Sequence, residues 1–252
     1  MAKKQDGQWQ CTLTNGQLVT APILVLATGS EPIAGSPPAE LALESIHLDT
    51  LLKPSLLKQL VPKDATVAVV GSSHSAILAL RNLIDAGRQV INFYRSELKY
   101  AVYKEGWILY DNTGLKGIAA DWARDTMPSY LSSSAPQLVR HQLTASSEAN
   151  VYATHLPKCT HICYAIGYQR SVLPTLSIEG KPMAACDYDN LTGKFFNSAS
   201  SHETDQRHLP GLFGCGIAFP EKVTDREGNV EYAVGLWKFM AFVQRVLPDW
   251  IQ

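Results

Sequence analysis

The chain has no long apolar run. No segment of its 252 residues approaches the ~18–20 consecutive apolar residues that span a bilayer. The opening MAKKQDGQWQ has two lysines but not the apolar stretch of a secretory signal. The cytoplasm is therefore the default compartment. Neither sign of charge is in surplus: 22 Lys and Arg against 23 Asp and Glu give a net charge of −1. Nothing electrostatic calls for nucleic acid or an anionic membrane as a partner. Cysteine is sparse. Cys11, Cys159, Cys163, Cys186 and Cys215 are odd in number and irregularly spaced, which argues against a disulfide framework. No Cys-x-x-Cys is present for dithiol chemistry. Cys159-Thr160-His161-Ile162-Cys163 clusters soft ligands, but no second ligand pair stands nearby at zinc spacing. It runs into an apolar stretch that reads as a buried strand, so no metal is expected. Nor does spacing support a nucleophile–base pair; His47, His155, His161 and His202 show no partner.

What is present reads as two copies of one plan. Trp9 to Thr14 alternates, Asn15-Gly16 turns, and Gln17 to Thr20 returns. Asn-Gly suits a type I′ hairpin turn, whose two central residues need positive φ. Pro22 to Ala27 is a continuous apolar run that reads as a central strand covered on both faces, and it ends in Thr28-Gly29-Ser30. Residues 30–64 look like a connection with one short helix. Thr66 to Val70 is a second buried strand, followed by Gly71-Ser72-Ser73-His74-Ser75-Ala76. An amphipathic segment then runs from Ile77 to Ala86, Gly87 is placed as its C-cap, and Gln89 to Tyr94 forms a further strand. This is one βαβ unit. Ile118 to Thr126 reads as a short helix. Gln137 to His141 and Asn150 to His155 read as short antiparallel strands, and Thr160 to Ile166 as a buried strand ending in Gly167-Tyr168. Tyr188 to Phe196 is expected to form a hairpin, Leu212 to Ala218 a strand entering a glycine turn, and Val230 to Val246 a helix with apolar residues at 233, 236, 240 and 243, ended by Pro248. The second copy is preceded by a βαβ unit and the first is not. If the copies are equivalent, roughly 70–120 residues are missing ahead of the first.

The loop after Val70 carries the chemistry. Gly71 permits the tight turn, and the helix N-terminus aims free N–H groups and partial positive charge at a pyrophosphate. Ala76 is small enough for close helix–strand packing. Ser73 stands where a glycine is usual, so its side chain either crowds the phosphate or donates to it. A serine-rich helix cap without a ligand is the competing reading of this loop. The next strand ends Phe93-Tyr94-Arg95-Ser96 with no acid. NAD sites place a carboxylate there for the ribose 2′-OH, whereas a cation accommodates a 2′-phosphate, so NADP is favoured over NAD. The competing reading of Arg95 is a solvated surface arginine.

On these residues the chain resembles the two-dinucleotide-binding-domain flavoproteins, in particular flavin-containing monooxygenases and amine N-hydroxylases, within the pyridine nucleotide-disulfide oxidoreductase superfamily. Leu26-Ala27-Thr28-Gly29-Ser30 resembles their first crossing between FAD and NADP domains. Val69 to Ala76 is similar to their NADPH loop. Tyr164-Ala165-Ile166-Gly167-Tyr168 is similar to the second crossing, with Ile166 in place of Thr. Leu212 to Ile217 resembles the late segment that closes over FAD, although Ile217 or Ala218 stands where the disulfide reductases carry Asp.

The resemblance implies an α/β fold: a Rossmann-like NADP-binding domain (60–172) with a parallel sheet, inserted into a partial FAD-binding α/β domain with β-meanders (1–35 and 173–252). It implies an FAD- and NADPH-dependent oxidoreductase, monooxygenase-like, acting on a small molecule. The candidate cofactor-binding residues are Gly71, Ser72, Ser73, His74, Ser75, Ala76 and Arg95 for NADP, Thr28, Gly29, Gly167 and Tyr168 at the crossings, and Gly214, Gly216, Ile217 and Ala218 towards FAD. The absent first glycine-rich unit, which holds the FAD pyrophosphate in the family, leaves a second reading open. The chain is then a truncated or non-catalytic NADP-binding module, or one that needs a partner chain to supply that unit. A protein that kept the fold and lost the ligand is a third. Residues 96–135 and 196–209, with Trp107, Trp122 and Tyr130, are candidates for lining a substrate site.

Overall fold

The structure, a computed structural model, describes residues 1–38, 40–132, 136–182, 186–197 and 208–251. It divides into two units, residues 32–168 and residues 1–31 with 169–252.

Residues 32–168 are built on a five-stranded, all-parallel sheet in the order Leu138–Gln142, Gln89–Tyr94, Thr66–Val70, His161–Tyr164, Glu44–Ser45. Thr66–Val70 lies at its centre, and its residues alternate between two cores. Val67 and Val69 face helix His74–Asp85, packing with Ala76, Ile77, Leu80 and Leu83. Ala68 and Val70 face Ile91, Phe93, Leu143, Leu156 and Ile162. Covering both faces is what makes these strands continuously apolar. Gly87 ends the helix at φ +77. Its N–H donates to Ile84 O and that of Arg88 to Leu83 O, the paired bonds of a Schellman C-cap.

Several local expectations are corrected. Residues 30–64 hold two short helices, Leu48–Leu52 and Pro54–Leu60, and the edge strand Glu44–Ser45. Leu48, Leu51 and Leu57 join the core, and His47 caps the first helix by accepting from Asp49 N. Leu138–Gln142 runs parallel to its neighbour, because the helical segment from Gly117 to Leu131 carries the chain back across the sheet. Asn150 to His155 lies in the helix Glu148–His155. Thr144 and Ser147 bond to each other ahead of it, a turn that starts a helix. The second copy of the plan therefore has no counterpart to the first hairpin.

The other unit holds two sheets. One is ordered Lys181–Pro182, Leu176–Ile178, Ala2–Gln5, Gln8–Thr12, Leu18–Ala21. Asp6-Gly7 (φ +50, +77) and Glu179-Gly180 (φ +47, +74) make its two-residue turns. The Asn15-Gly16 turn is not type I′, since only Gly16 has positive φ (+83). Gly16 N bonds Leu13 O and Leu13 N bonds Gln17 O, a type I turn followed by a left-handed glycine. The second sheet is ordered Cys186–Tyr188, Lys194–Asn197, His208–Gly214, Leu24–Leu26. Leu24–Leu26 is parallel to Leu212–Gly214 and stands at an edge among the described residues, not at the centre as expected. Val25 is 41% exposed there. Trp9, Leu26, Phe195, Leu212 and Phe219 fill the core between these strands.

The last helix is Leu236–Trp250 and includes Pro248. Val230–Tyr232 is instead a strand paired with Lys222–Thr224 across a turn in which Asp225 accepts from the N–H groups of Glu227 and Asn229. Gly235 at φ +140 separates strand from helix. The buried stripe is Phe242, Val246 and Trp250, while Leu236 is 77% exposed. Among the described residues no helix is long and apolar enough to cross a membrane.

Leu80 is fully buried beneath the sheet of residues 32–168. Leu80→Ala is expected to cost about 2–5 kcal/mol, read as a lowered midpoint in urea unfolding followed by circular dichroism.

Candidate nucleotide-binding site

The loop after the central strand is fixed from below. Asn92, 0% exposed, sits in the middle of the apolar strand Gln89–Tyr94. Its Nδ2 donates to Val69 O at 2.9 Å and Gly71 O at 2.8 Å, and its Oδ1 accepts from Arg140 Nε at 2.9 Å. Gly71 N in turn donates to Phe93 O. Burying an amide is favourable only when it is bonded in this way. Sequence alone does not single out Asn92. Its signal was a lone polar residue inside Val90-Ile91-Asn92-Phe93. Gly71 has φ +134, and a Cβ there would stand 2.2 Å from Ala165 O. Glycine is thus required by the neighbouring strand end as well as by the turn.

Ser73 is the N-cap of helix His74–Asp85, but its side chain makes no capping bond. The exposed Ser73 hydroxyl and the first-turn N–H groups remain available to an external acceptor. Ser75 Oγ lies 3.5 Å from Tyr168 Oη. Ala76 is fully buried against the sheet. Partial burial, and then the Lys116 charge, lower the His74 imidazole pKa, so His74 is a neutral hydrogen-bonding group at pH 7.

A cavity of ≈ 630 Å³ opens over this loop. Gly71, Ser72, Ser73, Arg95, Ser96, Ile166 and Gly167 line it together with Glu148 and Tyr152. Its size falls in the range of small-molecule and cofactor sites. Arg95 is paired: its Nη2 stands 2.9 and 3.1 Å from the two Glu148 oxygens. The hydrogen bond and charge of Glu148 raise the Arg95 pKa. Burial first, then the Glu148 charge, push the Tyr152 hydroxyl up to about 12, so it serves as a donor. The uncapped helix end, the two serines and the guanidinium suit a phosphorylated dinucleotide.

The remaining candidates lie in the other unit. Thr28 Oγ1 is buried without a hydrogen-bond partner among the described residues, and Gly29, at φ +78, accepts from Ser171 N. Gly214 O accepts from Tyr188 Oη, and Ala218 O from Arg170 Nε. Gly216, at φ +78, has open space where a side chain would stand, and Ile217 is partly exposed. The orphaned hydroxyl and the open glycine fit a ligand in this unit.

Cys163 is fully buried, and burial pushes its thiol up to about 12, away from the thiolate a metal needs. His161 Nδ1 is 2.7 Å from Thr160 Oγ1. Trp122 stacks with Tyr130 against the core, a packing role. His202 and residues 198–207 lie outside the described residues.

No protein-family model matches the chain. Monooxygenase AgnR1 of Paecilomyces divaricatus is 44% identical over 247 residues, 92% of this chain and 61% of that protein. This chain is a homologue of a monooxygenase. It spans 61% of the length of that curated relative. Among solved structures, a flavin monooxygenase from Stenotrophomonas maltophilia matches with a TM-score of 0.51 at 11% identity, over 99% of this chain and 67% of that one. Lactococcus lactis thioredoxin reductase matches with a TM-score of 0.51 at 10% identity, over 99% and 73%. The chain therefore has a fold similar to those of that flavin monooxygenase and that thioredoxin reductase.

Asn92→Ala leaves Gly71 O, Val69 O and Arg140 Nε without their partner. It is expected to destabilise the protein by about 1–3 kcal/mol and to weaken nucleotide binding at the loop. Unfolding and calorimetric titration of the same sample with NADPH check both effects.

Proposed function

We propose that this chain is the NADPH-binding and flavin-facing part of an FAD- and NADPH-dependent oxidoreductase of the monooxygenase type. The observation that carries this reading is the cavity of ≈ 630 Å³, which brings Gly71, Ser72 and Ser73 at an uncapped helix N-terminus together with Arg95 at the strand end. When bound, NADPH would supply a hydride and FAD would accept it, the electrons then going to oxygen or an organic acceptor. The protein's part is placement. Gly71, Ser72 and Ser73 bind the pyrophosphate, and Arg95 faces the 2′-phosphate. Gly167 and Tyr168 orient the nicotinamide end, while Thr28, Gly29, Gly214, Gly216, Ile217 and Ala218 face the flavin. Its substrate is a small molecule, and homology to a monooxygenase supports the reaction class.

A second reading rests on the edge strand Leu24–Leu26. Its outer edge pairs with no described strand, and Val25 is exposed along it. A parallel apolar strand of this kind ordinarily has neighbours on both sides. In this reading the chain binds NADP by itself and needs a further βαβ unit, from elsewhere in its own protein or from a partner chain, to bind FAD.

Titration separates the two. Bound flavin absorbance and NADPH oxidation on adding FAD support the enzyme; NADPH binding without FAD binding supports the module; binding of neither contradicts both. Arg95→Glu is expected to weaken NADPH by about 10–100-fold, as for a lost charge-assisted hydrogen bond, and NADH less. Equal weakening of the two would refute the 2′-phosphate role.

A further inference from the structure

The Arg95–Glu148 pair is arranged in a way that bears on which nucleotide the cavity accepts. Both contacts to the carboxylate come from one guanidinium nitrogen, Nη2, at 2.9 and 3.1 Å. A guanidinium has two bidentate edges, Nη1–Nη2 and Nε–Nη2, and Nη2 belongs to both. A phosphate that grips either edge with two parallel bonds therefore competes with Glu148 for Nη2. Glu148 also lines the same cavity as Arg95 and the phosphate loop. A ribose 2′-hydroxyl meets no such obstacle. It can donate to the carboxylate with the ion pair intact, the contact that an acid at the end of the second strand makes in NAD sites. The pair is exposed on the arginine side, with 73% of the Arg95 side chain accessible. A pair of that kind is weakly held and can be displaced.

We infer that Glu148 sets the nucleotide selectivity of this site: by occupying Nη2 it restrains Arg95 and offers an acceptor to the 2′-hydroxyl, so the cavity takes NADH beside NADPH. This rests on the reading of the cavity as a nicotinamide-nucleotide site. Glu148 acts on the phosphate through Arg95 and on the hydroxyl directly. Its position in the first turn of helix Glu148–His155 also suits the helix dipole, a structural role that would leave the preference between the two nucleotides unchanged.

The test is calorimetric titration with adenosine 2′,5′-bisphosphate and with AMP, probes that differ only in the 2′-phosphate. The ratio of their affinities is compared between the unaltered chain, Glu148→Gln, Arg95→Gln and the double variant. Glu148→Gln is expected to raise the ratio in favour of the bisphosphate by on the order of tenfold, the scale of one charge-assisted hydrogen bond. In the Arg95→Gln background the same change is expected to raise it much less. An unchanged ratio in Glu148→Gln, with both probes still bound, overturns the role of Glu148 and leaves the cavity reading standing. Failure of the unaltered chain to bind either probe overturns both. A parallel gain with and without Arg95 contradicts action through Nη2.

Discussion

The site depends on one buried amide. Asn92 bonds to the carbonyls of Val69 and Gly71 and accepts from Arg140, so the end of one strand, the loop that follows it and the side chain of a third strand share a single fixed point. A polar side chain is costly in an apolar strand unless every group is satisfied, and here both its donor and its acceptor are used. The loop's geometry is thereby set before any ligand arrives. Gly71 is pressed against Ala165 O from the other side, where no side chain fits. An uncapped helix N-terminus held in this way offers its N–H groups without first having to order them, which is how a rigid site limits the entropy lost on binding.

Charge is distributed with equal economy. The chain has almost no net charge, so in the proposed reading attraction of an anionic nucleotide comes from local features: the helix N-terminus and Arg95. Arg95 is not a free cation, since Glu148 offsets it within the cavity. The same two residues thus give the cavity both a positive and a negative group.

Much of the unit formed by residues 32–168 is legible in the sequence. The strands Thr66–Val70 and Gln89–Tyr94 and the C-cap at Gly87 follow from periodicity and glycine placement, because sheet burial on both faces writes a strong pattern. Glu148–His155 was misread because the helix buries little, so Val151 and Tyr152 gave no clear helical stripe. The final helix was misplaced in register because its exposed face carries Leu236, Trp237 and Met240, so apolarity did not mark the buried side. Asp6-Gly7 carried the turn signal that was credited to Asn15-Gly16. In the site, sequence pointed to Gly71 to Ala76 and Arg95. It could not show Asn92 and Glu148, whose roles arise from contacts between residues 21 and 53 positions apart.

Amide hydrogen exchange with and without NADPH tests the central claim most directly, since it reads the loop itself. The account predicts slowed exchange at residues 72–76 and around Arg95 and Glu148 when NADPH is present, with helix Leu236–Trp250 unchanged. Exchange at residues 72–76 that is indifferent to saturating NADPH would contradict it.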